Sequence, residues 1–239
     1  MSAADRVASW PAEVPAPPAD VLEAFFGDRA PLAVAFAQHL ATTAVSRGLL
    51  GPREVPRLWD RHIFNCAAIS PLVPPGARVA DVGSGAGLPG IVVAIARPDV
   101  SVALVEPLLR RVAWLEEVAA DLGLAGVSVV RARAEELDAD QADVATARAV
   151  APLAKLTAWC LPLVRPGGLM LAIKGRSAGD ELRETAPSLP SLGGTSWRVV
   201  EVGGDLLEEP TTVVEIRKGS FPRRSMDPRV RARRAPRQR

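Results

Sequence analysis

The run with the most chemical content is Asp81-Val82-Gly83-Ser84-Gly85-Ala86-Gly87-Leu88-Pro89-Gly90, in which four of the last eight residues are glycine. Glycines at that density let the backbone pass close to a ligand, and a helix beginning behind them aims free N–H groups at it. A turn that is merely tight does not need so many. Gly85, Gly87 and Gly90 match the spacing of a dinucleotide fingerprint, and Glu106 follows 21 residues after Gly85, near the distance of a ribose-binding acid. Asp81 weighs against that choice, because a carboxylate at the loop mouth repels a pyrophosphate and suits a ligand carrying an ammonium and a sulfonium.

With Gly83 taken as the first glycine, the run from Asp81 is Asp-Val-Gly-x-Gly-x-Gly. It is similar to the first motif of S-adenosylmethionine-dependent methyltransferases. Asp81, Gly83 and Gly85 are then cofactor residues, and Glu106 accepts the two hydroxyls of the adenosine ribose from the end of the next strand. The chain has no tyrosine, which removes the Tyr-Lys acid of short-chain dehydrogenases. The acceptor is narrowed by what is missing. The Asp/Asn-Pro-Pro-aromatic turn common in amine methyltransferases is replaced by Ala147-Arg148-Ala149-Val150, and neither Cys66 nor Cys160 follows a proline, as a cytosine-attacking cysteine usually does. An acceptor that is already nucleophilic remains, such as guanine N7, whose lone pair needs no proton removed. Catalysis then rests on alignment and proximity.

These residues must be held by a sheet. Short apolar runs at Arg78 to Val82, Ser101 to Val105, Val127 to Arg131, Val144 to Ala147 and Leu169 to Ile173 predict strands, alternating with helices over Leu88 to Ala96, Pro107 to Leu122, Pro152 to Leu163 and Gly179 to Thr185. Regular alternation predicts a parallel sheet covered on both faces. Trp197 to Val202 and Thr211 to Lys218 predict a terminal antiparallel pair. Helical spacing over Asp20 to Leu50 and Val55 to Ile69 predicts an N-terminal helical cap. The division expected is a flexible stretch 1–19, a cap 20–75, a methyltransferase domain 76–218 and a basic tail 219–239, disordered by composition.

Together the motifs resemble one family, the bacterial small-subunit ribosomal RNA guanine-N7 methyltransferases, also called glucose-inhibited division protein B. The matching pieces are Arg61-His62-Ile63, Asp81 to Gly90 with its Gly-Leu-Pro-Gly ending, Glu106 with Arg110-Arg111, Ala134-Glu135-Glu136, Arg148-Ala149 and Lys174-Gly175, spanning about 20–218. The resemblance implies a Rossmann-like methyltransferase that uses S-adenosylmethionine to modify guanine N7 in 16S rRNA of the small ribosomal subunit. Carried over by motif, Gly83, Leu88, Ala134, Glu135 and Arg148 contact the cofactor. Arg148 would anchor the methionine carboxylate or an RNA phosphate; Lys174 and Arg176 would hold phosphates by charge. Two departures stand out: Asn65 and Cys66 replace the Asp and Ser that usually follow Arg61-His62-Ile63, and Thr211 or Thr212 replaces an arginine near the last strand.

The 239 residues carry a formal charge of only +2, which conceals an asymmetry. Residues 219–239 hold eight arginines against Asp227, while residues 1–218 carry 21 positive and 26 negative side chains. An acidic body suits a cationic cofactor, and the basic tail suits RNA phosphates. Two distant cysteines, no metal-ligand spacing, no export signal and no long apolar stretch place the protein in a reducing cytosol, with neither metal nor membrane expected. Two other readings share the loop: a small-molecule methyltransferase, and a noncatalytic RNA-binding module that keeps the fold.

Overall fold

The computed structural model describes residues 14–148 and 151–219. The expectations for residues 1–13 and for the tail beyond Gly219 lie outside these. Seven strands form one sheet in the order β3-β2-β1-β4-β5-β7-β6. They are β1 (Arg78–Val82), β2 (Ser101–Val105), β3 (Val127–Val130), β4 (Ala142–Arg148), β5 (Val164–Lys174), β6 (Gly194–Val202) and β7 (Thr211–Lys218). β1 to β5 are mutually parallel, and β7 enters antiparallel between β5 and β6.

Parallel neighbours need crossovers, and the helices supply them. They are α3 (Gly90–Ala96), α4 (Leu109–Asp121) and α5 (Leu153–Leu163), while α6 (Ala178–Thr185) leads from β5 to β6, which pairs antiparallel with β7. Burial on both faces explains the apolar strands: Val79, Leu104, Val144, Met170 and Val214 are all within 2% of full burial. The order reverses at β1, where β2 lies on one side and β4 on the other. In an open sheet that switch point is the ligand crevice.

Before β1 lie α1 (Ala19–Phe26) and α2 (Ala30–His39), the latter widening into a π turn over Leu40–Ala44. The helix expected over Val55 to Ile69 is instead a 3-10 turn (Pro52–Arg57), a π segment (Leu58–Phe64), a short α turn (Asn65–Ala67) and a second 3-10 turn (Ser70–Leu72). Pro56 within the first turn cannot donate to an α-helical ladder, which accounts for the break. One continuous apolar cluster joins Phe36, Leu40, Trp59 and Ile63 to Ile91, Leu104 and Trp114. Polar ties reinforce it: Trp114 Nε1 donates to Thr43 Oγ1 at 3.0 Å, and His39 Nε2 lies 2.8 Å from Asp121 Oδ2. Among the described residues no helix is long and apolar enough to cross a membrane, and no group of three potential metal ligands occurs.

Candidate cofactor and substrate site

The glycine loop sits at the switch point, between β1 and α3. Gly83, Gly85 and Gly87 all adopt left-handed backbone, with φ of 73°, 56° and 77°. A side chain is strained in that conformation, so the spacing of glycines follows directly from the loop's path. Gly83 N–H donates to Val105 O at 2.8 Å, and Ser84 Oγ donates to Asp81 O at 2.9 Å, tying the loop to the ends of β2 and β1. Above Gly85 there is open space: an added Cβ would meet only Gly83 O, 3.8 Å away.

Asp81 is not at the mouth of the loop, as its charge had suggested. It is fully buried beneath it, with Oδ2 accepting the Gly90 N–H at 3.0 Å. α3 also starts two residues later than expected, and its leading N–H is thereby spent on Asp81 rather than offered to a ligand. The other carboxylate oxygen, Oδ1, is buried without a hydrogen-bond partner. Burial pushes this carboxyl up to about 7, the Gly90 N–H and Ser84 opposing the shift and the nearby Glu106 adding to it.

Glu106 lies just past the end of β2 and is 2% exposed. Its Oε2 accepts the Gly85 N–H at 3.1 Å and its Oε1 accepts the Leu108 N–H at 3.0 Å. It therefore fastens the loop to the entrance of α4, and a carboxylate with about four lone-pair sites retains two for a ligand's hydroxyls. Arg111 Nη1 stands 3.5 Å from Oε2, and Arg111 Nε is buried without a partner. After β3, Ala134 is buried and Glu135 exposed in a 3-10 turn, Ala134–Glu136. Leu88 is half-buried at the end of the loop. Of the residues nominated at β1, β2 and β3, Gly85 and Glu106 are thus bonded directly to each other.

Arg148 ends β4 and borders a second space, a cleft of about 1110 Å³ whose walls include Arg57, Arg61, Asn65, Lys174, Arg176 and the β6–β7 loop. Its guanidinium is held from the helical segment: Nη2 donates to Arg61 O at 2.7 Å and to His62 Nδ1 at 3.0 Å, and Nη1 to Cys66 Sγ at 3.3 Å. His62 Nε2 is 2.9 Å from Glu54 Oε2. Burial and the Arg148 charge bring the His62 pKa down to about 4. Burial also pushes the Cys66 thiol up, so the sulfur is an uncharged acceptor.

The two nominated phosphate holders differ. Arg176 is 97% exposed, with Glu209 3.8 Å away. The Lys174 side chain is only 10% exposed, and its ammonium sits 2.8 Å from Glu181 Oε2 and donates to Ala151 O at 3.3 Å. Local pairing therefore engages Lys174 in the fold itself. Glu54, Ser84 and Thr211 were not nominated from sequence. No spacing links Glu54 to Arg148, although the departures at Asn65 and Cys66 marked this region.

Strand order, glycine loop and paired acids define the Rossmann-like methyltransferase fold. Solved structures agree on the fold: a SAM-dependent O-methyltransferase from Thermotoga maritima is 18% identical with a TM-score of 0.53, covering 71% of each chain. A predicted O-methyltransferase from Agrobacterium tumefaciens, also 18% identical, gives 0.52 over 65% of this chain and 81% of that one. The family model for rRNA small subunit methyltransferase G matches residues 29–208. Ribosomal RNA small subunit methyltransferase G of Pseudarthrobacter chlorophenolicus is 56% identical over 195 residues, 81% of this chain and 90% of that protein. The protein of that name from Salinispora arenicola is 55% identical over 218 residues, 87% of this chain and 90% of its own length. The chain belongs to the rRNA small subunit methyltransferase G family.

Proposed function

We propose that this methyltransferase transfers the methyl group of S-adenosylmethionine to N7 of a guanine in 16S rRNA of the small ribosomal subunit, in the cytosol. The observation that carries the reading is Arg148, which ends β4 next to β1, the strand that leads into the glycine loop, and stands in the wall of a cleft large enough for a nucleotide. The crevice fits the cofactor on two counts: open space above Gly85 and spare lone pairs on Glu106. Gly83, Gly85, Leu88, Ala134 and Glu135 would line the adenosine and Glu106 would take the ribose hydroxyls. Arg148 would meet an oxyanion, either the methionine carboxylate or an RNA phosphate.

When bound, S-adenosylmethionine supplies an electrophilic methyl group. The chain's own residues then need only align the acceptor, because N7 presents a lone pair and no proton has to leave. The cleft suits this modest role: Arg57, Arg61, Arg148, Lys174 and Arg176 face Asp60, Glu181, Glu201, Glu208 and Glu209, so its walls are balanced in charge. Long-range steering toward rRNA would fall to the arginines of residues 219–239. Mass spectrometry of small-subunit rRNA from cells lacking the gene tests the reading. Loss of one 7-methylguanosine, restored by the intact gene, is expected; an unchanged content refutes it.

A further inference from the structure

Arg148 offers five N–H donors and no acceptor, so the His62 Nδ1 that touches it must present a lone pair. The single proton of the neutral ring is therefore on Nε2, where it donates to Glu54 Oε2 at 2.9 Å. The groups holding the guanidinium are a carbonyl, an imidazole lone pair and a thiol, all uncharged. Glu54 is in ion-pair range of His62 and, at 3.5 Å, of Arg61. Among the described residues no carboxylate is within ion-pair distance of Arg148.

We propose that His62, fixed as its Nε2–H tautomer by Glu54, is a positioning residue that aims Arg148 at an oxyanion in the cleft while leaving the Arg148 charge uncompensated. A carboxylate bonded directly to the guanidinium would orient it equally well but would cancel the charge on which oxyanion binding depends. The interposed imidazole passes on the geometry of Glu54 and withholds its charge. The charged groups facing the ring are Glu54, Arg61 and Arg148. Burial to 7% exposure keeps water from competing for either ring nitrogen. The proposal rests on the reading that Arg148 meets the ligand, whether the oxyanion belongs to the cofactor or to RNA.

The test uses the full chain with His62→Leu, His62→Asn, Arg148→Met and the His62→Leu/Arg148→Met double variant. Affinity for S-adenosylmethionine is measured by calorimetry, and affinity for a small-subunit rRNA fragment by fluorescence anisotropy. His62→Leu should weaken one ligand about tenfold, the typical cost of a lost charge-assisted hydrogen bond, and the ligand affected identifies the oxyanion. His62→Asn, whose amide oxygen stands near the Nδ1 position, should recover most of that loss. The double variant should bind no worse than Arg148→Met alone. Additive losses, or no recovery in His62→Asn, overturn the proposal. Imidazole 15N shifts give a readout independent of binding: His62 should be the Nε2–H tautomer in the unaltered chain, and an Nδ1–H tautomer overturns the arrangement even if Arg148 binds ligand. If Arg148→Met changes neither affinity, the ligand reading of Arg148 fails first and the proposal fails with it.

Discussion

Asn65 and Thr211, 146 residues apart, bond to each other twice: Asn65 Nδ2 donates to Thr211 Oγ1 at 2.8 Å, and Thr211 Oγ1 donates to Asn65 O at 3.1 Å. Asn65 stands where the family resemblance leads one to expect an acid, and Thr211 is one of the two threonines, with Thr212, near the last strand where an arginine is expected. A neutral pair thus links the helical segment to the start of β7. Thr211→Val keeps the shape and removes both bonds, leaving buried polar groups unpaired. A loss of about 1–3 kcal/mol is expected in urea denaturation, and an unchanged midpoint would show that the pair is incidental.

Gly85 and Gly90 answer differently to the same substitution. A Cβ on Gly90 would lie 2.4 Å from Leu104 Cδ2 and 2.6 Å from Asp81 Oδ2, so Gly90→Ala must displace packed atoms and should cost about 1–3 kcal/mol of stability. At Gly85 the space is open but φ is +56°, so Gly85→Ala carries backbone strain of about 1–2 kcal/mol and also fills the crevice. Gly85→Ala should therefore lose the larger share of S-adenosylmethionine affinity, measured by calorimetry. Equal affinity losses in both variants would contradict the assignment of open space to ligand.

Asp81 and His62 place opposite pH slopes on stability. Burial raises Asp81 from 3.8 to about 7, so between those values the folded chain holds a proton the unfolded chain has released, and this contribution falls as pH rises. Burial lowers His62 from 6.5 to about 4, so over that range the unfolded chain holds the extra proton and this contribution rises with pH. Asp81→Asn keeps an acceptor for Gly90 and removes the first slope. Relative to the unaltered chain it should gain on the order of a few kcal/mol at pH 8 and almost nothing at pH 3.5. Parallel stability curves for the two proteins across that range would exclude a buried, titrating Asp81.

Arg176 and Lys174 separate a phosphate contact from a structural one. Arg176→Ala should lower the salt slope of rRNA-fragment binding by about one unit, as one released counterion requires. Lys174→Met should leave that slope in place and lower thermal stability, because Glu181 loses its closest cation. The reverse pattern would exchange the two roles.

Much of this arrangement was legible in the chain itself. β1, β2 and β7 fall where apolar runs end at glycine, proline or charge, and the left-handed glycines are visible as glycines. Asp81 and Glu106 were legible as acids at adjoining strand ends. Their orientation was not, because spacing cannot tell a side chain at a loop's mouth from one beneath its floor. The association of Glu54, His62 and Arg148 was not legible, for another reason. Their contact depends on how a proline-broken helix folds back on β4, a tertiary fact with no local periodicity. Lys174 read as a free cation because its partner Glu181 lies on the next helix, seven residues on.

The antiparallel insertion of β7 also fixes where the chain goes next. Thr212 stands opposite Lys174 at the cleft, and Arg217 stands opposite Leu169, five residues down β5. At about 3.3 Å per residue, Gly219 leaves the body on the order of 20 Å from the cleft, at the far pole of the sheet. On the proposed function, the arginines that follow Gly219 in sequence would meet RNA remote from the guanine to be modified. A short oligonucleotide would be indifferent to their removal, whereas a ribosomal particle, broad enough to reach both poles, would register the loss.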